Sequence, residues 1–74
     1  MIYVCEEERQ YEGSNIFYAS LDYQDCVDKL MNKMLEMKKQ REEIYSKVEQ
    51  VHHNDYLWEL IDGGNFYYRI HVFE

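Results

Sequence analysis

DYQDCVDKLMNKMLEMKKQREEIYSKVEQV, residues 22–51, is the longest uninterrupted pattern in the chain, and the fold class turns on it. It contains no Gly and no Pro, and Leu, Met, Lys, Glu, Gln and Arg, all good helix formers, dominate it. Its apolar positions step through Tyr23, Val27, Leu30, Met34 and Met37, pass Arg41, and resume at Ile44, Val48 and Val51. Spacings that alternate four and three are those of a heptad seam. Cys26, Met31, Leu35 and Tyr45 widen it in places. Asp22 with Asp25 three residues on resembles a capping box, with Asp in the Glu/Gln position. Asp22, Asp25 and Asp28 all fall in the first two turns, where the positive helix end accounts for them without a functional role. His52-His53-Asn54-Asp55 reads as the helix end, with histidines at its negative pole. A break near Lys38–Arg41 that folds the helix back is the alternative, and the lack of a breaker residue favours one continuous rod.

On the N-terminal side, IYVCEEE (residues 2–8) opens with a β-branched and aromatic run that predicts a strand over 2–7. Glu12-Gly13-Ser14-Asn15 is turn chemistry, and Ile16–Ser20 predicts a second strand antiparallel to the first. Beyond the helix, YLWELI (56–61) and FYYRIHVF (66–73) predict two more strands joined through Asp62-Gly63-Gly64-Asn65, a strong hairpin signal. The fold class expected is α+β: one domain over residues 1–74, in β-β-α-β-β order, with a small antiparallel sheet packed on one long helix. Thirty helical residues make a rod of ~45 Å, whereas strands of five to eight residues span only ~17–27 Å. The sheet would then leave part of the seam bare, and a second copy of the chain is the simplest cover. The expected dimer seam is Met37, Arg41, Ile44, Val48 and Val51, with Arg41 meeting a carboxylate of the second copy, Glu42 or Glu43.

Composition narrows the function classes. The chain has 74 residues, 8 Lys+Arg against 15 Asp+Glu, and a formal net charge of −7. Direct binding of nucleic acid or an anionic membrane needs a basic face, so neither is expected. A basic protein surface is a compatible partner. The acid sits in the flanks: residues 1–21 hold four Glu and one Arg, net −3, and residues 51–74 hold four acids and one Arg, again −3. Eight of the twelve aromatic residues are Tyr, which suits surfaces apolar on one side and wet on the other. Strand preference and core cover explain tyrosines equally well. No apolar leader precedes the first strand pattern and no stretch approaches the ~20 apolar residues that span a bilayer. The expected setting is therefore the cytoplasm, with Cys5 and Cys26 as free thiols.

None of the reactive residues carries the pattern that its chemistry needs. His52, His53, Asp55 and His71 lack metal-ligand spacing, so no metal and no cofactor is expected. Cys26 lies near the helix start without a histidine near it in sequence, and reads as a small core residue rather than a nucleophile. Glu6-Glu7-Glu8 reads as a solvated strand end rather than an acid–base pair. Gly63-Gly64 lacks the following helix that phosphate binding requires. No enzymatic activity is expected.

The run IYVCEEERQYEGSNIFYASLDYQDCVDKL, within about the first 35 residues, resembles small uncharacterised ββα domains of phage and prophage genomes. Those pair two strands with an S-x-x-x-x-x-A helix start; here Ser20 leads to Cys26 where such domains often carry Ala. By type, a short, acidic, Tyr-rich domain looks like phage-encoded inhibitors of host defence, anti-CRISPR proteins among them. The resemblance implies an inhibitor in the host cytoplasm that blocks a nucleic-acid-handling host protein by contact. The residues expected to carry partner binding are Glu6, Glu7, Glu8 and Glu12 for charge, and Trp58, Tyr67, Arg69 and Phe73 on the hairpin. Two other readings stay open. One is an oligomeric sponge for a small signalling nucleotide, with a base on Tyr or Trp and phosphate on Arg41 or Arg69. The other is an antitoxin or cellular regulatory adaptor.

Overall fold

Asp22 caps the helix as its position implies, its carboxylate accepting the Gln24 N–H at 3.1 Å while Ser20 Oγ accepts the Asp22 N–H at 3.1 Å. The computed structural model describes residues 1–74. Its elements run β1 (Ile2–Arg9), β2 (Gly13–Ser20), α1 (Tyr23–Glu42), β3 (Glu49–Asn54), β4 (Leu57–Ile61) and β5 (Asn65–Phe73). The expected α+β class, an antiparallel sheet on one helix in β-β-α-β-β order, is what the chain forms, with one strand more than the sequence implied. The sheet order is β2-β1-β5-β4-β3, with every neighbouring pair antiparallel.

The helix is shorter than the heptad seam suggested. It ends at Glu42 after 20 residues, about 30 Å at 1.5 Å per residue. The Ile44 and Tyr45 N–H groups both close on the Arg41 carbonyl, at 3.1 and 2.8 Å. Ile44-Tyr45-Ser46 are poorer helix formers than the residues before them, and the backbone from Glu49 onward finds a partner in the sheet. Glu49–Asn54 pairs with β4, and the chain reverses after Asn54, whose side chain accepts the Tyr56 N–H at 2.8 Å. Without β3, the apolar LWELI strand would itself be a sheet edge, open to pairing with other chains. The 4-3 spacing past Arg41 is therefore not a helical face: Ile44 lies exposed in the α1–β3 loop, Val48 is buried just before β3, and Val51 is in it. Met37 belongs to the chain's own core, and Arg41 pairs with Asp62 of the β4–β5 turn rather than waiting for Glu42 or Glu43 of another copy. The length mismatch that called for a second chain disappears with the longer helix.

The core lies between α1 and one face of the sheet. Cys26, Leu30, Met34 and Met37 come from the helix; Cys5, Trp58, Leu60, Phe66, Tyr68 and Ile70 come from the strands, and Val48 closes the group. Trp58 is 6% exposed and stacks on His52, with ring centroids 5.1 Å apart. Glu7 is 5% exposed on this inner face, where the Tyr68 hydroxyl donates to it at 2.7 Å and Arg9 Nε at 3.2 Å. Both thiols are fully buried, Cys5 Sγ donating to the Cys26 carbonyl and Cys26 Sγ to the Tyr3 carbonyl, each at 3.3 Å. Each edge strand carries one extra residue, Phe17 in β2 and His53 in β3. Such bulges interrupt the free edge and discourage addition of another strand. No helix is long and apolar enough to cross a membrane.

Candidate interaction face

Because strand side chains alternate, the register fixes which of them share the face away from α1. Glu6 lies opposite Arg69, Glu8 opposite Tyr67, and Val4 opposite His71. On the other side of β5, Leu57 lies opposite Arg69, Glu59 opposite Tyr67 and Ile61 opposite Asn65. No second layer covers this face, since the single helix packs on the opposite one.

The face is organised by charge. Arg69 Nη1 donates to Glu8 Oε1 at 2.5 Å and to Glu6 Oε1 at 3.3 Å. His71 Nε2 lies 3.2 Å from the same Glu6 oxygen. The Arg69 guanidinium also sits 5.1 Å from the Tyr67 ring centre, so it bridges the acidic strand and the aromatic one. Burial opposes ionisation of Glu6, but His71 and Arg69 outweigh it and hold the carboxyl below the usual range. Glu59 repeats the pattern: burial works against its charge, while His53 at 2.8 Å and the donating Asn65 amide hold its carboxyl low. Glu6 and Glu8, fixed in this way and part-exposed, present a rigid acidic pattern at little further ordering cost, whereas Glu59 is buried, 7% exposed. Phe73, 57% exposed, ends the face.

The structure thus brings together Glu6, Glu8, Tyr67, Arg69 and Phe73 of the expected partner-binding residues. It separates the other three. Glu7 points into the core side because it is one residue out of phase with Glu6 and Glu8. Trp58 is a core residue, paired across from Tyr68. Glu12 lies in the β1–β2 turn, its carboxylate 3.7 Å from Arg9. Val4, Leu57, Ile61 and the His53–Glu59–Asn65 group are additions; alternation alone could have supplied Val4, but matching β4 to Tyr67 required the register. Arg69 is held by two carboxylates, both through Nη1. His52 and His53 belong to β3 rather than to a helix end, and they turn to opposite sides, one to Trp58 and the other to Glu59. Compared with protein-family models, with curated proteins and with solved structures, the chain matches none.

Proposed function

We propose that this chain is a non-catalytic binding protein that docks the open face of its sheet on a basic surface of another protein. The observation that supports it is the joining, on one uncovered face, of fixed carboxylates with an aromatic and aliphatic floor. Glu6 and Glu8 set the exposed charge there, with Arg69 as the single fully charged cation between them, in a chain of net charge −7. Charges at a rim steer encounter, and desolvated aromatics such as Tyr67 and Phe73 hold the complex. Basic surfaces on proteins commonly hold nucleic-acid phosphates, so occupying one blocks that use. This is the action of an inhibitor from a phage or mobile element against a host defence protein.

The test starts with capture from a bacterial lysate by the parent chain and by Tyr67→Ala, Phe73→Ala and the double variant Glu6→Lys/Glu8→Lys. Photo-crosslinkers at positions 67 and 73 then locate the contact, and association and dissociation rates are measured on the captured partner. The expected result is faster dissociation for the aromatic variants. The double reversal slows association and flattens its salt dependence. Folded aromatic variants that hold the same partner as tightly as the parent refute the assignment of this face.

A further inference from the structure

At the end of the molecule where α1 stops, the β1–β2 turn, the helix terminus and the β4–β5 turn enclose a groove of about 670 Å³. That size lies within the ~300–1,000 Å³ usual for small-molecule sites. The groove shares only Asn65 with the group on the open sheet face, and the proposed docking uses none of its other lining residues.

Its lip carries the one non-glycine residue with a left-handed backbone, Tyr11 at φ 68°. A bulky side chain is sterically disfavoured there, and such outliers persist only where the surrounding structure holds them. The ring it presents is 97% exposed, so folding gains nothing from packing it. Across the groove stand Ile44, 70% exposed, and Tyr45, 42% exposed. The interior is set differently. The Arg41 guanidinium lies between the Tyr45 and Phe66 rings, 4.8 and 5.1 Å from their centres, and its Nε donates to Asp62. Arg9 lies 3.7 Å from Glu12. The four charged residues of the lining sum to zero, the buried Glu7 beside Arg9 adds a further negative charge, and the negative end of α1 adds no attraction for an anion. What remains available is amide chemistry. Gln10 uses Oε1 to accept the Asn65 N–H at 3.0 Å, which leaves its NH2 donors free, and the Gln40 amide makes no bond within the chain. A Cβ on Gly64 would lie 3.0 Å from Gln10 Oε1, so a side chain there would push the Gln10 amide aside by a few tenths of an ångström.

We propose that this groove binds a small, flat, uncharged heteroaromatic ring of the nucleobase type, stacked on Tyr11 and read at its edge by Gln10 and Gln40. Glutamine amides pair well with a ring edge that offers a donor beside an acceptor, and every base has a face for an aromatic side chain. Charge balance sets the class: the ring is the recognised part, and a phosphate adds nothing.

The test is amide-shift NMR titration of the intact chain with adenosine, guanosine, cytidine and uridine, with adenosine 5′-monophosphate, and with N-acetyltryptophanamide. At least one nucleoside is expected to shift the amides of Tyr11, Gln40, Ile44, Gly63 and Gly64 together, with its monophosphate no tighter. Tyr11→Gly removes the ring and relieves the backbone, so the fold stays intact. It is expected to weaken binding roughly five- to hundredfold, the scale of one lost stack. Gln40→Ala, on an exposed helix position, is expected to weaken it as well. The proposal is overturned if no nucleoside moves these amides, or if Tyr11→Gly binds as well as the parent. It is equally overturned if N-acetyltryptophanamide binds as tightly as the best nucleoside, or if the phosphate improves binding by more than about tenfold.

Discussion

Glu6, Glu7 and Glu8 look equivalent in sequence, and reversing each of them to Lys separates them. Glu7 is 5% exposed, accepts from the Tyr68 hydroxyl at 2.7 Å, and faces Arg9 Nε at 3.2 Å. Tyr68 itself is fully buried, and burial together with the Glu7 carboxylate pushes its hydroxyl pKa upward, keeping it a donor. Glu7→Lys removes the acceptor, strands the hydroxyl, and places a second cation beside Arg9. Burying an unpaired Lys in place of that carboxylate, with the Tyr68 hydroxyl left without its acceptor, costs about 3–5 kcal/mol. A domain of this length has a total stability of about 4–11 kcal/mol at the usual 0.05–0.15 per residue. Glu7→Lys is therefore expected to lower Tm by at least about 12 °C or to leave much of the protein unfolded at 25 °C. Glu7→Gln keeps an oxygen for the Tyr68 hydroxyl and costs about 1–2 kcal/mol. Glu6→Lys and Glu8→Lys lose only part-exposed ion pairs to Arg69 and cost about 0–1 kcal/mol each. Urea and thermal denaturation followed by circular dichroism measures all four variants. A Glu7→Lys protein within about 0.5 kcal/mol of Glu8→Lys would refute the placement of Glu7 on the core face.

Trp58→Ala removes a core side chain and is expected to cost about 3–5 kcal/mol, seen as a lower urea midpoint, whereas Phe73→Ala leaves the midpoint nearly unchanged. Burial and the neighbouring Cys26 push the Cys5 thiol up to about 12. Above the ordinary thiol pKa near 8.5 the unfolded chain releases this proton while the folded chain keeps it. Stability is therefore unaffected by this group below that pH, and falls by up to roughly 1.4 kcal/mol per pH unit until about pH 12. Urea titrations of the parent and Cys5→Ala from pH 8 upward read the difference, which a parallel pH dependence of the two would contradict.

Fold class was legible along the chain because each clear signal was local. Asp22 caps its helix through its own carboxylate, Leu30, Met34 and Met37 recur at helical spacing, and Asp62-Gly63-Gly64 turns one strand into the next. Alternation in FYYRIHVF likewise separated Phe66, Tyr68 and Ile70, which are buried, from Tyr67, Arg69 and His71, which are not. Whatever depends on a distant partner came only with the folded chain. The first strand pairs with the last, so Glu6 and Glu8 meet Arg69 and His71 across more than sixty residues of chain. A local pattern carries no record of that pairing. The segment after Glu42 shows the limit most clearly: its 4-3 apolar spacing fits a helix, yet Glu49–Asn54 becomes a strand because β4 offers it a ladder and an edge to cover. Intrinsic helix preference differs by only tenths of a kcal/mol per residue among such residues, and paired backbone together with a buried Val48 outweighs it. The groove beyond α1 has the same origin, since Tyr11, Arg41 and Asp62 lie on three separate segments that only tertiary packing brings to one end.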